Sequence, residues 1–206
     1  MIVARHSWWF ERVFNLYLAF AFKRSFRKIE TVGSVTDKGM PMLVIGNHIS
    51  WWDGFWILRL NQKKFRRRFY VMMLEDQLHE NKFLSKLGAF SIRKKSRDMI
   101  QSLNYASGIL QNPGELLLLF PQGEIHSQYD VPVNFQKGWG RMLSKVKNPV
   151  QVLMVVHLLD YFSHPKPTLR QYVFSPEQTE NFSCDQLESI YNDFYKQCLV
   201  KQKDLK

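Results

Sequence analysis

His48 and Asp53 are the two residues whose types and spacing could carry chemistry. They lie in the segment GNHISWWD at residues 46–53, directly after the apolar run MLVI. On one helix, five positions correspond to a rotation of roughly 140°, so the two side chains would not share a helical face. They can meet only if His48 lies in a loop and Asp53 in the first turn of the next helix. A carboxylate on one imidazole nitrogen then fixes the tautomer and leaves the other nitrogen as a base.

The same segment also has a purely structural interpretation. Ser50 and Asp53 have the spacing of a capping box, in which side chains serve the start of a helix. Asn47 and His48 would then be loop residues with ordinary hydrogen bonds. In either case the helix dipole favours an ionised Asp53, because the N-terminal end of a helix attracts negative charge.

A second polar segment, FPQGEIHS at residues 120–127, follows the apolar run ELLLL. A turn containing proline and glycine brings backbone N–H groups close to a ligand. The alternative is an ordinary turn between two elements. The candidate binding residues in this segment are Phe120, Pro121, Gln122, Gly123 and Glu124.

Two basic segments could meet anionic groups. The sequence GAFSIRKK at residues 88–95 places Arg93 and Lys94 after a glycine turn, a pattern suited to phosphate. The alternative is a basic loop exposed to water. A second basic run, KKFRRR at residues 63–68, faces either anionic lipid or water.

Several common catalytic patterns are absent from the sequence. There is no G-x-S-x-G nucleophile turn and no G-x-x-x-x-G-K-[ST] phosphate loop. The two cysteines, Cys184 and Cys198, belong to no Cys/His ligand set, so we expect reduced thiols and no metal site. A covalent serine or cysteine mechanism therefore has little support.

Residues 1–30 form a basic and aromatic segment that we expect to be an amphipathic, membrane-associating helix. Its most apolar stretch, residues 13–22, is shorter than the roughly 20 apolar residues that a spanning helix needs. Glu11 and Arg12 directly precede that stretch, which argues against a cleaved signal peptide. Aromatic side chains with flanking cations suit an interfacial helix on anionic lipid. The alternative is a helix packed on its own domain.

The composition and the apolar patterns predict the architecture. The chain has 206 residues, which suits one domain, and its net charge of +11 indicates an anionic partner: nucleic acid, an anionic membrane surface or a phosphorylated substrate. Alternating strands and helices predict an α/β domain over residues 31–206, with a mixed, mostly covered sheet flanked by helices. The predicted strands are 42–46, 69–74, 115–120 and 150–156, with an edge strand at 171–174, and the predicted helices begin at Asp53, Asn81, Ser96 and the Ser183 capping box.

The order of the polar segments resembles the glycerolipid acyltransferase family, the 1-acylglycerol-3-phosphate acyltransferases with their NHxxxxD and FPEG motifs. Asn47, His48 and Asp53 match the first motif, which is the most specific one. The segments 88–93 and 120–123 follow in the family's order, as do FQKG at 135–138 and the apolar run after Pro149. The resemblance covers roughly residues 40–157, in an order that is hard to produce by accident.

This resemblance implies an acyltransferase at the cytoplasmic face of a membrane, bound as a peripheral or monotopic protein. The donor would be an acyl thioester, either acyl-CoA or acyl-carrier protein, and no cofactor would be needed. The acceptor would be a hydroxyl of a lysophospholipid or similar lipid. His48 would be the general base, oriented by Asp53, without an acyl-enzyme. Substrate binding would fall to Asn47, Arg93, Lys94 and residues 120–124, with Arg93 on a phosphate.

The third motif departs from the family's FPEGTRS. Gln122 stands in place of the glutamate, Glu124 in place of the threonine and Ile125 in place of the arginine. A lost cation and a gained carboxylate weaken the expectation of a phosphate-bearing acceptor such as lysophosphatidic acid. We therefore expect the chemistry to be retained, and the departures leave two kinds of acceptor open: one with a phosphate, and one with an amide, an amino acid or another non-phosphate head group.

Two other functions compete with this one. A non-catalytic membrane-surface binding protein of the same fold would explain the N-terminal segment and the altered third motif. A nucleic-acid binder would explain the net charge, but the sequence has no zinc finger and no RNP pattern. We therefore expect no nucleic-acid partner.

Overall fold

The computed structural model describes residues 1–93, 98–136, 138–177, 180 and 182–205. The helices in these residues are α1 (Trp8–Ser25), α2 (Asp53–Lys64), α3 (Glu75–Glu80), α4 (Asp98–Ile109), α5 (Gly138–Leu143) and α6 (Cys184–Lys203), with a 3₁₀ helix at Lys82–Leu87. The strands are β1 (Lys28–Val32), β2 (Met42–Gly46), β3 (Arg68–Leu74), β4 (Ala89–Ile92), β5 (Glu115–Leu119), β6 (Gln151–Asp160) and β7 (Thr168–Phe174).

These strands form one seven-stranded sheet in the order β1-β7-β6-β2-β5-β3-β4. Neighbouring strands run parallel except β6 and β7, which are antiparallel. Strand β2 is buried at every position, as its uninterrupted apolar sequence requires of a central strand covered on both faces. The predicted α/β fold with a mixed, covered sheet is confirmed.

Alternate residues of the central strands point to two separate cores. Leu43 and Ile45 pack under α4, α5 and α6, whereas Met42 and Val44 pack under α1, α2 and α3. This division follows from the two-residue period of a strand, which sends successive side chains to opposite faces. The molecule is therefore a helix–sheet–helix sandwich, and its loops at the carboxyl ends of the parallel strands remain open.

Helix α1 packs on the domain with one side and exposes apolar residues on the other. Leu18 and Phe22 are buried, and the Phe14 ring lies 5.5 Å from the ring of Phe55 on α2. The outward side is apolar and aromatic, with exposed Trp8, Trp9, Val13, Leu16, Tyr17 and Phe20. Among the residues that the structure describes, no helix combines the length and apolarity needed to cross a bilayer.

The edges of the sheet differ from the prediction. Strand β7 is not an edge strand, because β1 pairs with it in parallel and covers its outer side. The opposite edge is β4, in the segment where the sequence indicated only a basic turn. The turn before β4 does require glycine: Gly88 has φ +99°, and a Cβ there would lie 1.9 Å from the carbonyl oxygen of Phe69. Ser96, predicted to cap α4, lies outside the described residues.

Candidate active site

The sheet order brings three chain segments together at one edge. Strand β2 lies between β5 and β6, parallel to both. The carboxyl ends of parallel neighbours meet at the same edge, so the loop after β2 lies beside the loop after β5. Strand β6 extends beyond its last partner on β2, Gly46, and this extension carries His157 past the end of β2. His48, Phe120 and His157 therefore lie at the same edge of the sheet although they are far apart in the chain.

His48 and Asp53 form a hydrogen-bonded pair. His48 lies in the loop after β2 and Asp53 is the first residue of α2, the arrangement that their spacing demands. The Nδ1–H of His48 donates to Oδ2 of Asp53 at 2.8 Å. This bond fixes the imidazole tautomer and leaves Nε2 with a free lone pair. The side chain of His48 is 22 % exposed and that of Asp53 is fully buried.

Asp53 is held as a carboxylate by the groups around it. The N–H groups of Ile49 and Ser50 donate to Oδ2 at 2.7 and 2.8 Å. Burial opposes ionisation, but the favourable interactions of the carboxylate with the nearby His157 and His48 together outweigh it and hold the pKa of Asp53 below its usual value. The predicted capping box is not formed, because α2 begins at Asp53 and its N-cap is Trp52 rather than Ser50. The carboxylate instead accepts from the N–H groups of the loop before the helix and from the histidine.

The loop after β5 supports His48 directly. The Phe120 ring stacks on the His48 ring, with centroids 4.2 Å apart and planes 12° from parallel. Oε1 of Gln122 accepts from the His48 N–H at 2.7 Å, and the His126 N–H donates to the His48 carbonyl at 2.9 Å. Gln122 therefore contacts the backbone of the histidine loop, a contact that its family counterpart, a glutamate, could also make.

An apolar cavity of about 430 Å³ opens beside His48. Trp51, Phe120 and Ile125 line it near His48, and Gln77, Glu80 and Asn81 are polar groups in its wall. Apolar side chains of β3, α4 and α5 form most of the remaining wall, among them Val71, Met73, Leu103, Trp139 and Met142. A cavity of this size and polarity suits a small-molecule or acyl-chain ligand.

Asn47 lies behind the cavity wall, fully buried. Its Nδ2 donates to the carbonyl oxygen of His157 at 2.9 Å, and its Oδ1 accepts from the N–H of His157 at 2.8 Å. Its Nδ2 also donates to the hydroxyl of Tyr195 on α6 at 3.0 Å. The amide thus joins the ends of β2 and β6 and ties both to α6, a supporting position rather than a substrate-facing one.

Arg93 lies at the end of β4 and pairs with carboxylates. Its NH2 group contacts Oε1 of Glu75 at 2.5 Å, and its NH1 group lies 3.6 Å from Oδ2 of Asp98. The Glu75 partner is itself buried and also accepts from the Ser91 hydroxyl at 2.9 Å. Lys94, the second predicted cation, lies outside the described residues, as does Lys137 in the FQKG turn.

The later part of the third motif is exposed beside the cavity. His126 contacts two carboxylates: its Nδ1 bonds to Oδ2 of Asp130 at 2.8 Å, and its Nε2 lies 3.3 Å from Oε1 of Glu124. The bond to Asp130 is the main cause of the raised pKa of His126. Glu124 points to this histidine from an exposed position, whereas Ile125 lines the cavity.

His157 is the residue of this centre that sequence reasoning missed. It is fully buried, and its Nδ1 lies 3.3 Å from Oδ1 of Asp53. The available signal was a single histidine inside the apolar strand sequence QVLMVVHLLD. Strand periodicity alone does not reveal which residue that histidine meets, because its partner is 104 positions away and belongs to a helix start.

The sequence matches the Acyltransferase family model over residues 8–156. The fold is similar to the crystal structure of the 1-acyl-sn-glycerophosphate (LPA) acyltransferase PlsC from Thermotoga maritima, with a TM-score of 0.62 and 19 % sequence identity. That similarity covers 91 % of this chain and 77 % of the other chain. No curated protein matches the chain.

Proposed function

The chain belongs to the acyltransferase family, and from this premise we propose that it moves a fatty acyl group from an acyl thioester to a hydroxyl of a lipid. The family match confirms the enzyme class that the sequence motifs predicted. The observation that carries the proposal is His48, whose Nδ1 is bound by Asp53 while its ring lines an apolar cavity. The similarity in fold to PlsC, named as an acyltransferase of a lysophospholipid, supports a lipid acceptor.

In the proposed reaction His48 is the general base. Its Nε2 takes the proton of the acceptor hydroxyl as that oxygen attacks the thioester carbonyl carbon. The tetrahedral intermediate collapses with cleavage of the C–S bond, and the imidazolium returns its proton to the leaving thiolate. Asp53 orients the imidazole and stabilises its positive charge in between. The step forms one ester, releases one thiol and needs no acyl-enzyme, metal or cofactor.

We propose that the cavity holds the acyl chain of the donor. Its wall is mostly apolar, and it begins at His48 and Phe120, where the thioester carbon must lie. Burying a chain in such a cavity contributes about 0.8 kcal/mol per CH₂ group. Acyl-CoA and acyl-carrier protein carry the same thioester, so the proposal includes both as donors, and acyl-carrier protein as a protein partner.

The acceptor is proposed to carry a head group other than phosphate. The family's arginine in the third motif is Ile125 here, at the cavity wall beside His48. The other expected cation, Arg93, is engaged by Glu75 and Asp98. Gln122 contacts the His48 backbone, so its replacement of glutamate bears on the loop rather than on the acceptor. Ile125 is therefore the residue on which this part of the proposal depends.

A membrane-bound position at the cytoplasmic face is proposed from α1. Its outward aromatic side is flanked by exposed Arg12, Lys23 and Arg24, which suits an interfacial helix on anionic lipid. Phe14 on α1 contacts Phe55 on α2, and Phe22 contacts Trp52 directly before α2. The rings of Trp52 and Phe55 both contact Trp51, which lines the cavity. A lipid acceptor could therefore reach His48 from the surface on which α1 lies.

Acyl transfer tests the proposed function. Labelled palmitoyl-CoA and acyl-carrier protein donors are combined with lysophosphatidic acid and with lyso-aminolipids in mixed micelles. His48→Ala should lower turnover by about 10²–10⁴-fold, the usual contribution of a general base. His79→Ala, at an exposed histidine on α3, serves as the matched control and should retain activity. Turnover that survives His48→Ala would refute the proposed mechanism, and liposome binding without any turnover would favour the non-catalytic membrane protein.

Ile125→Arg tests the acceptor. The substitution restores the family's cation at the cavity and should move the preference towards lysophosphatidic acid, measured as the ratio of kcat/KM for phosphate and non-phosphate acceptors. Gln122→Glu is the control and should leave that ratio unchanged. An unchanged ratio in Ile125→Arg would remove the argument for a non-phosphate acceptor.

Flotation with vesicles tests the membrane position. Leu16→Glu places a charge on a side chain that is 74 % exposed, so the fold should be unaffected while binding to vesicles of phosphatidylglycerol is lost. Val200→Glu introduces the same charge at an exposed apolar residue on α6 and should leave binding intact. Equal binding by both variants would contradict an α1-mediated attachment.

A further inference from the structure

We propose that His157 is a positioning residue of the active site, which holds the second oxygen of Asp53 through its Nδ1–H. This inference rests on the proposed function, because it assigns a role in orienting the carboxylate that orients His48. It makes the centre a histidine–carboxylate–histidine array, in which His48 faces the cavity and His157 faces the protein interior.

Two buried polar atoms, Nδ1 of His157 and Oδ1 of Asp53, face each other without another partner among the residues that the structure describes. Nδ1 of His157 and Oδ1 of Asp53 are both buried, lie 3.3 Å apart, and make no aligned hydrogen bond with any residue that the structure describes. Buried polar atoms are paired in the great majority of cases, so two such atoms facing each other require an explanation. An N–H from His157 to the carboxylate satisfies both after a small closing movement, as is common for catalytic hydrogen bonds when substrate binds.

The other side of the ring supports the same tautomer. Nε2 of His157 lies 3.1 Å from Nε2 of Gln171, its direct cross-strand partner on β7. An amide nitrogen only donates, so this contact makes Nε2 of the imidazole the acceptor. The ring proton therefore lies on Nδ1, facing Asp53. The ring is further confined by the edge-to-face contact with Trp56, at 5.0 Å between centroids, and by the Asn47 amide on its backbone.

The consequence is a carboxylate that cannot rotate. Oδ2 of Asp53 accepts three hydrogen bonds, from His48, Ile49 and Ser50, and the bond from His157 anchors Oδ1. Loss of the bond from His157 would leave Oδ1 of Asp53 unpaired in a buried site and would raise the free energy of the ionised carboxylate. The orientation of His48 would become less fixed as a result. His157 does not touch the reacting atoms, so its effect reaches the reaction only through Asp53.

A matched pair of variants tests this role. Leucine and asparagine have nearly the same shape, but only His157→Asn keeps an N–H near the position of Nδ1. In acyl transfer from labelled palmitoyl-CoA, kcat of His157→Leu should be about ten- to hundredfold below that of His157→Asn, the range for a hydrogen bond to a charged group. Equal kcat values in the two variants would overturn the inference. If His48→Ala abolishes turnover while the pair shows no difference, this inference alone fails and the proposed function stands.

Thermal stability supplies a test that needs no substrate. The titratable side chains around Asp53 are His48 and His157, with Tyr191 and Tyr195 beyond them, and burial raises the pKa of both tyrosines. His157→Asn should be more stable than His157→Leu near pH 7, and their difference in Tm should shrink as the pH falls below the ordinary aspartate pKa of about 3.9 and Asp53 becomes protonated. A difference that is the same at every pH would indicate packing alone and would contradict the inference.

The wild-type protein decides the question if neither variant folds. Long-range ¹H–¹⁵N spectra of the ¹⁵N-histidine-labelled chain identify which ring nitrogen of His157 carries the proton. We expect the proton on Nδ1. A proton on Nε2 alone would turn a lone pair towards the Asp53 carboxylate and would exclude the proposed bond.

Discussion

Two histidine–carboxylate clusters lie within the same loop region. Their nitrogen–oxygen distances are equal, but their burial and their surroundings differ. Nδ1 of His48 is 2.8 Å from Oδ2 of Asp53, and Nδ1 of His126 is 2.8 Å from Oδ2 of Asp130. Asp53 is fully buried, whereas the Asp130 side chain is 59 % exposed. His48 opens into an apolar cavity, and His126 lies between two exposed carboxylates, Asp130 and Glu124.

A short histidine–carboxylate distance therefore does not by itself make a histidine suited to act as a base. The carboxylates around His126 raise its pKa and favour the imidazolium, which has no lone pair to accept a proton. Water and salt also screen its charges. At Asp53, burial excludes water, and several donors hold the carboxylate in one orientation. Burial of the carboxylate and an adjoining apolar cavity distinguish the His48–Asp53 cluster from the exposed His126 cluster.

The largest expected effect is on activity: removing the charge of Asp53 should lower kcat/KM far more than removing the charge of Asp130. Asp53→Asn should lower kcat/KM by about 10³–10⁴-fold, because an amide neither fixes the His48 tautomer nor stabilises its cation. Asp130→Asn makes the same change at the exposed cluster and should alter kcat/KM by less than about threefold. The measurement is steady-state acyl transfer, and comparable losses in the two variants would show that burial of the carboxylate is not what matters for activity.

The buried cluster should also contribute to stability through the Asn47 amide, which bonds to the backbone of His157. Asn47→Ala leaves the N–H and carbonyl of His157 without their partner, so we expect the free energy of unfolding to fall by about 2–3 kcal/mol. Asn148→Ala, at an exposed asparagine, is the control and should change it by less than about 0.5 kcal/mol. Urea denaturation measures both, and a stable Asn47→Ala variant would show that β6 is held without this amide.

Acid should weaken the buried cluster in a definite direction. The folded pKa of Asp53 is lowered, so its stabilising contribution is present above the unfolded value of about 3.9 and is lost as the pH falls through the lower folded value. The stability difference between wild type and Asp53→Asn should therefore decrease below about pH 4. Urea titrations at several pH values measure it. A difference that grows on acidification would mean that the folded protein prefers the protonated carboxyl.

The smallest expected effect is that of salt on the stability contributed by the exposed His126 cluster. The pKa of His126 is raised, so its contribution to stability is complete below the unfolded value of about 6.5 and is lost as the pH rises through the folded value. Added NaCl should reduce this contribution, because exposed charges are screened. The Tm difference between wild type and His126→Ala at about pH 6, with and without about 0.5 M NaCl, measures it. Insensitivity to salt would indicate that the cluster is less exposed than its geometry indicates.

Much of the fold followed from local patterns. The continuous apolar runs became the central strands β2, β5 and β6, and the capping box at Ser183 and Gln186 is formed at the start of α6. Wherever burial on both faces or a side chain within one turn determines the structure, neighbouring residues carry the information. Strands β1 and β4 escaped detection for different reasons. Strand β1 is an edge strand with no buried residue and a mixed polar and apolar sequence, whereas β4 is mostly buried but only four residues long.

The candidate site was predictable in part for the same reason. The distance of five residues between His48 and Asp53 is short enough for geometry to allow only one arrangement, and the structure has it. The positions of Gln122 on the His48 backbone and of Arg93 on Glu75 were not predictable. Each depends on a partner contributed by a different strand or helix.

The α/β class and the acyltransferase motifs are therefore encoded in local sequence patterns, as is the one arrangement in which His48 and Asp53 can meet. The tertiary structure alone decided that β7 lies inside the sheet, that α1 packs with one side and exposes the other, and that His157 meets Asp53. The reason is the range of the interactions. Periodicity and capping act within a few residues, whereas the contact between Asn47 and His157 joins residues 110 positions apart and exists only once β2 and β6 have paired in register.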